Sequence, residues 1–354
     1  MRGKNSVSHI NLNSVHVNGP FYSQAHSETS TQIQTLSKFP VRAALSARVA
    51  NATRLFCFVI TTANHRDRHL NILRTWGPQC DQGLTFVTAR NAKNYQLRKL
   101  ANQWTTADWP VKVKTINVGE SYFVSWPKVR RMLSHIEVDF SPERKRRIDW
   151  ILRADDDAFV MMENLKLFLM NRTAAEMHWY GYRDLIPSSL LSVVYGGRYV
   201  MQYNSGGAYV IHRAHLPLLE RVFEMNKDRV VMMNDTSWSC KPNKRQGYCD
   251  VEVAACLREA GITPGGTRDH MNRLRFSPES AWHTISHDNA HQSDTIKWFW
   301  ESADAPLNKP NGRDPANCCA DDFAVFHHCA KDFLFYEFAI RRLHPFAQTA
   351  ISDI

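Results

Sequence analysis

The chain has 354 residues, 44% of them hydrophobic and 22% charged, the composition of an ordinary globular protein with room for one large α/β domain or two smaller ones. Its 44 Lys and Arg outnumber 34 Asp and Glu, leaving a net charge of +10, which favours an anionic partner such as a nucleotide, a nucleic acid or a membrane surface. No stretch interleaves aromatics with basic residues in the manner of an RNA- or DNA-binding module, so nucleic acid is not an expected partner.

Residues 1–50 are rich in Ser, Asn, His, Gln and Thr, with no apolar core of signal-peptide length, and read as a disordered leader or stem. Leu55-Phe56-Cys57-Phe58-Val59-Ile60 is continuously apolar, which predicts a first strand buried on both faces. It is far short of the roughly 20 residues a membrane span needs. After the polar loop Thr61-Thr62-Ala63-Asn64, the spacing of Leu70, Leu73 and Trp76 predicts a helix from Arg66 to Trp76, stopped by Gly77-Pro78. Leu84 to Thr88 and Val111 to Val118 read as two further strands, with Asn91 to Trp104 a polar helix or loop between them. Tyr122 to His135 has the pattern of a helix whose start is blurred by Pro127.

The most informative stretch is Ile148-Asp149-Trp150-Ile151-Leu152-Arg153-Ala154-Asp155-Asp156-Asp157-Ala158-Phe159-Val160. A short apolar strand runs straight into three adjacent carboxylates, which repel one another unless a cation holds them together. Oxygen ligands of this kind suit Mg²⁺ or Mn²⁺ bound jointly with substrate phosphates. An acidic turn, or a cap for the helix predicted from Glu163 to Met170, is the plainer alternative. Strands alternating with helices up to this point imply a Rossmann-like parallel sheet, in which ligands bind beyond the carboxyl ends of the strands.

Beyond Met170 the pattern changes. Trp179 to Tyr182 and Tyr195 to Tyr199 look like short antiparallel ribbons, and Asn204-Ser205-Gly206-Gly207-Ala208-Tyr209-Val210-Ile211 carries a Gly pair that either turns the chain or lets its backbone approach a ligand. His215 to Met225 and Val251 to Ala260 read as helices, the second closed by Gly261. Asp250, directly before that helix, is either a cap or a rigidly held base for a substrate hydroxyl. Near the end, His327 and His328 follow a strand-like stretch and are metal-ligand candidates.

Eight cysteines without CxxC pairing and the sequons at Asn51, Asn171 and Asn234 agree with an oxidising, glycosylating compartment. Cys57 lies in the first strand and Cys80 just after the helix packed on it, so these two are expected to meet in a disulfide.

In order, RTWGPQC (74–80), DWILRADDDAFV (149–160), YNSGGAYV (203–210), CDVEVAAC (249–256), CCADDFAVFHH (318–328) and YEFAIRRLHPF (336–346) resemble the fringe-like β1,3-glycosyltransferases, and within them the core 1 synthase group. The resemblance spans about residues 54–347 and implies a single catalytic domain over 51–347, with 348–354 a tail. It implies a GT-A type, Rossmann-like nucleotide-sugar transferase fold with a mixed, mostly parallel sheet. It also implies Mn²⁺, a UDP-sugar donor, inversion at the anomeric carbon, and transfer of galactose to O3 of O-linked N-acetylgalactosamine on a glycoprotein or glycopeptide. Golgi residence, a membrane anchor not visible in the sequence, and a homodimer are further implications. Matched residue by residue, Asp155, Asp157 and His327 are the implied metal ligands and Asp250 the implied base. Thr61, Arg90, Asn91, Lys93 and Asp155 are expected around the nucleotide, and Trp126, Lys128, Gly206, Gly207 and Trp300 around the donor or acceptor sugar. Cys249 stands where the family has the Glu of a Glu-Asp pair, and the Gly-Gly-Ala-Tyr loop is one residue short. Two alternatives accompany this reading: a fringe-like transferase moving another UDP-sugar, and a non-catalytic, chaperone-like relative, which would lack the acidic metal motif present here.

Overall fold

The computed structural model describes residues 53–90, 93–140, 147–187, 199–229, 238–280 and 319–329. Strand β1 (Leu55–Ile60) is buried at every position, as its continuous apolarity requires. Its side chains alternate between two cores: Leu55, Cys57 and Val59 join Ile72, Leu73 and Trp76, whereas Phe56, Phe58 and Ile60 join Trp126, Val129 and Met132. Each such side chain contributes roughly 1.5–3 kcal/mol by leaving water, so β1 is the element on which both layers condense.

Helix α1 (Arg66–Arg74) is shorter than its periodicity suggested, because Gly77-Pro78 is taken into a separate 3-10 turn, Gly77–Gln79. Strand β2 (Leu84–Ala89), helix α2 (Asn94–Trp104) and strand β3 (Val111–Ile116) follow. A 3-10 turn (Tyr122–Val124) leads into α3 (Ser125–Asp139). Pro127 lies in the first turn of α3, where its missing N–H has no intrahelical partner to lose. Strand β4 (Trp150–Asp155), β5 (Phe159–Val160) and α4 (Met162–Met170) complete this half.

In the second half the antiparallel ribbon expected at Trp179 to Tyr182 is present and longer than expected, and residues 195–198 lie outside the described residues. Strands β6 (His178–Pro187) and β7 (Tyr199–His212) form one long antiparallel pair. Helix α5 (Leu216–Met225), helix α6 (Cys249–Glu259), β8 (Thr263–Pro264) and β9 (Val325–Phe326) follow. Among the described residues the main sheet has seven strands in the order β3-β2-β1-β4-β7-β6-β8. The β3-β2-β1-β4 run is parallel, β7 is antiparallel to both neighbours, and β8 adds in parallel to β6. The sheet is therefore mixed and mostly parallel, with helices α1, α2 and α4 packed through one core and α3, α5 and α6 through the other. This is the α/β arrangement expected of a GT-A type fold.

Two details of this framework position the site. Gly206 and Gly207 lie within β7 rather than in a turn between strands. The register jumps there, from Gly181 opposite Tyr209 to Tyr182 opposite Ser205, so the Gly-Gly-Ala segment bulges away from β6 while Ala208 keeps its place opposite Ala154. The second detail is the small β5–β9 pair, Phe159 opposite Phe326 and Val160 opposite Val325. It clamps the distant 319–329 segment onto the residues that follow the Asp triplet.

The expected disulfide between Cys57 and Cys80 is present, with a Cα separation of 5.8 Å, and a second joins Cys240 to Cys256 at 4.4 Å. Cys319 is also disulfide-bonded, and Cys249 is a buried thiol.

Candidate active site

Strand β4 ends at Asp155, level with Ile60 at the end of parallel β1. The next two aspartates form a turn in which the Ala158 amide donates to the Asp155 carbonyl at 3.2 Å and the Trp76 indole N–H donates to Ala158 at 3.1 Å. The middle carboxylate then turns away from the other two, which both face His327.

Asp156 turns inward and is buried. It accepts from Thr61 Oγ1 at 2.5 Å, pairs with His65 Nδ1 at 2.7 Å and accepts from Arg68 Nη1 at 2.7 Å. Burial works against its charge, but these hydrogen bonds hold the carboxyl below the usual carboxylate range. Asp156 is thus an anchor that ties the triplet to the start of α1. Thr61, expected near the nucleotide, is itself buried, with its hydroxyl shared between Asp156 and His69 Nε2.

Asp157 turns the other way. Its Oδ1 is 3.1 Å from His327 Nε2, and its Oδ2 is 3.7 Å from His328 Nδ1 and 3.3 Å from Arg68 Nη1. Burial would raise this carboxyl, yet the His327 and His328 contacts and the Arg68 charge hold it well below the usual range. The histidines arrive from β9: the Met161 amide donates to Ala324 at 2.8 Å, and the Cys329 amide donates to the Asp157 carbonyl at 2.9 Å. His327 and His328 are adjacent yet both reach the site because His328 adopts φ 54° and the two rings stack at 3.8 Å.

The tautomer of His327 follows from its other contact. Its Nδ1 lies 3.2 Å from the Pro278 carbonyl, which can only accept, so Nδ1 carries the proton. Nε2 therefore faces Asp157 and, at 3.8 Å, Asp155 Oδ2, either as an imidazolium N–H or as a lone pair directed at a cation. Desolvation lowers the affinity of this ring for a proton, but Asp157 and Asp155 outweigh it and the net shift is upward. The donor atoms of Asp157, His327 and His328 lie within 4.8 Å of one another. With Asp155 Oδ2 beside them, these carboxylates and imidazoles form a donor set that fits a divalent metal ion, and a carbonyl accepting from the far ring nitrogen is the usual companion of a metal-ligating histidine.

Asp155 is held from behind. Arg153, two residues earlier and on the same face of β4, donates from Nη2 to Asp155 Oδ1 at 2.5 Å and to Cys249 Sγ at 2.9 Å, while its Nη1 reaches the Gly207 carbonyl at 3.4 Å. Desolvation raises the Asp155 carboxyl against the opposing charges of Arg153 and His327.

Asp250 lies inside the first turn of α6 rather than ahead of it, since that helix begins at Cys249 with Tyr248 as its cap. Its Oδ1 accepts from the Val251 amide at 2.9 Å. The start of α6 is fixed to α3, where Ser125 Oγ accepts from the Cys249 amide at 3.1 Å. Burial raises the Asp250 carboxyl, with Arg153 opposing, and Asp155 adds to the rise. Desolvation thus outweighs the favourable end of the helix dipole and makes this carboxylate more basic than an exposed one. Burial pushes the neighbouring Cys249 thiol up to about 12, so it is neutral at ordinary pH.

The remaining expected residues are spread out. Arg90 is exposed and shares a groove with Asn94, Arg98 and Thr115 beyond the carboxyl ends of β2 and β3, and Lys93 precedes α2. Lys128 is buried, donating to the Thr61 carbonyl at 3.1 Å and to Glu120 at 2.7 Å. Trp126 is 0% exposed, with its indole N–H donating to the Lys241 carbonyl at 3.2 Å, so it offers no face to a ligand. Gly207 abuts His327, and Gly206 lies in the same bulge. Asn91 and Trp300 lie outside the described residues. Sequence reasoning did not find Arg153, Arg68 or His65 as partners of the triplet, nor His328 as a contact of Asp157.

A scan against protein-family models matches none. Among curated proteins, the chain is 22% identical over 294 residues to glycoprotein-N-acetylgalactosamine 3-beta-galactosyltransferase 1 of Xenopus laevis, covering 82% of this chain and 67% of that protein. Among solved structures, it is similar to the apo-form glycosyltransferase GlyE of Streptococcus pneumoniae TIGR4, at 9% identity and a TM-score of 0.33. That similarity covers 79% of this chain and spans only 55% of the other.

Proposed function

For a chain distantly related to the core 1 β1,3-galactosyltransferases, we propose an inverting, metal-dependent transfer of galactose from UDP-galactose to O3 of O-linked N-acetylgalactosamine on glycoproteins. The observation that carries this reading is the convergence of Asp155, Asp157 and His327 at the carboxyl end of β4, with Arg153 joining Asp155 to Cys249, the residue before Asp250. Asp157 and His327, with Asp155 Oδ2 and His328 beside them, would hold Mn²⁺. When bound, that ion neutralises charge developing on the departing diphosphate.

The protein's own groups account for the rest. Asp250 takes the proton of the acceptor O3 hydroxyl as the new bond to the anomeric carbon forms and the bond to UDP breaks. Its raised pKa strengthens it for this task, and its rigid place at the start of α6 keeps it there. Arg90 and Lys93, at the carboxyl ends of the neighbouring strands, add positive charge where a nucleotide diphosphate is expected in such a sheet.

The same reading assigns residues 51–347 to one catalytic domain, 1–50 to a leader or stem and 348–354 to a tail, and locates the protein in the Golgi lumen or on its membrane as a homodimer. No helix among the described residues is long and apolar enough to cross a membrane. One observation favours a second reading: Cys249 replaces an acidic residue beside the base, which changes the surroundings of the acceptor and admits a fringe-like transferase using another sugar. Purified protein assayed with Mn²⁺ and a GalNAc-peptide, with UDP-galactose in parallel with UDP-N-acetylglucosamine, separates the two. Galactose transfer supports the first reading, and preference for the other donor supports the second.

A further inference from the structure

Arg153 is buried, at 4% exposure, and a guanidinium in that position is costly unless an opposite charge and acceptors meet it. An arginine serving only to neutralise Asp155 would grip both carboxylate oxygens in a parallel fork. It does not do so here. One nitrogen, Nη2, serves Asp155 Oδ1 and Cys249 Sγ, and the other reaches the Gly207 carbonyl. The guanidinium also sits over the Tyr209 ring, 5.4 Å from its centroid. With Oδ1 occupied, Asp155 presents Oδ2 toward His327 Nε2.

Each of the three contacts belongs to a different part of the site. Asp155 belongs to the strand end. Gly207 is the bulge residue packed against the His327 ring. Cys249 opens the helix that carries Asp250. Cys249 is also a neutral acceptor. A carboxylate at that position would compete with Asp155 for the same guanidinium.

Building on the metal-dependent reading above, we propose that Arg153 is a positioning residue that fixes Asp155 with a single oxygen facing the cation and, through Cys249, sets the distance from the cation site to Asp250. The thiol at 249 keeps the guanidinium directed at Asp155. Metal affinity and base placement are thereby coupled through one buried side chain.

The test measures UDP binding by calorimetry at a series of Mn²⁺ concentrations, without acceptor or turnover. In Arg153→Met, the Mn²⁺ concentration giving half-maximal UDP binding should rise about 10- to 100-fold, the usual effect of removing an outer-shell partner. In Arg153→Lys it should rise less, because the charge remains. Cys249→Glu should move it in the same direction as Arg153→Met. Turnover at saturating Mn²⁺ should also fall in Arg153→Met with little change in the KM for the donor, the sign of a displaced base rather than of lost donor contacts. If Arg153→Met fails to fold, Arg153→Lys and Cys249→Glu decide by the same criterion. Half-maximal Mn²⁺ within twofold of the unaltered protein in the folded variants overturns the inference alone. No Mn²⁺ stimulation of UDP binding in the unaltered protein overturns the metal reading, and this inference with it.

Discussion

Gly207 and His327 are packed so closely that position 207 has no room for a side chain: a Cβ there would lie 2.3 Å from His327 Cδ2. The residue also has φ 76°, a conformation that costs a non-Gly residue about 1–2 kcal/mol. The bulge in β7 therefore sets where the imidazole can stand. Gly207→Ala should lower stability by about 2 kcal/mol in urea unfolding. It should also weaken Mn²⁺-dependent UDP binding about tenfold, since a displaced ring loses its Pro278 contact and its aim. A variant with unchanged metal dependence would show that the ring is not held by this contact.

The middle carboxylate should matter for folding more than for chemistry. Asp156→Asn removes the charged partner of His65 and leaves Arg68 only its longer contact to Asp157, and with both cations partly exposed the expected loss is about 2 kcal/mol. Because the folded-state pKa of Asp156 lies below its unfolded value, its contribution is present above about pH 4 and is lost as pH falls through the folded value. Thermal melts at pH 7 and pH 3 should differ less in Asp156→Asn than in the unaltered chain.

The Cys57–Cys80 bridge closes a loop with a sequence separation of 23. In the chain-entropy model such a loop is stabilised by about 3 kcal/mol. Replacing both cysteines with Ser should lower the melting temperature by several degrees under non-reducing conditions, and reductant should then have a smaller effect than on the unaltered protein. An unshifted melt would mean that the bridge does not restrict the unfolded chain as the model requires.

Asp250→Asn keeps the volume and the side-chain acceptor for the Val251 amide but removes the basicity. Turnover should fall by roughly 10²- to 10⁴-fold with little change in UDP affinity. Burial raises the Asp250 pKa, so the acidic limb of the kcat profile should lie above the ordinary aspartate range. The activity rises with pH through that limb, as a base must be deprotonated to work. A variant that keeps the limb would place the base elsewhere.

The parallel half of the sheet was legible because β1, β2 and β4 are near-continuous apolar runs, a pattern that burial on both faces imposes. The β6–β7 pair was not, because aromatic and Gly residues carry no clear period and the bulge at Gly206 and Gly207 breaks the alternation. At the site, the carboxylates and His327 were legible as types of ligand in an ordered set of motifs. Arg153 was invisible for a physical reason: its role comes from the Gly207 carbonyl and Cys249 Sγ, which approach only when β7 and α6 pack on β4. Arg68 and His65 likewise read as ordinary polar residues of a helix start until α1 is docked beside the triplet. Trp126 shows the opposite case, a residue expected at a sugar that the packing of α3 on α5 buries entirely, with its ring edge-on to Phe223.

If Asp155, Asp157 and His327 hold a divalent ion that binds UDP, nucleotide binding must depend on that ion. Calorimetric titration of UDP with Mn²⁺ and with excess chelator, on the unaltered protein and on Asp157→Asn, tests it most directly. Asn keeps the side-chain shape but brings no charge to the ion. UDP binding should be stimulated by Mn²⁺ in the unaltered protein and should lose that stimulation in Asp157→Asn. Equal Mn²⁺ stimulation in both would contradict it.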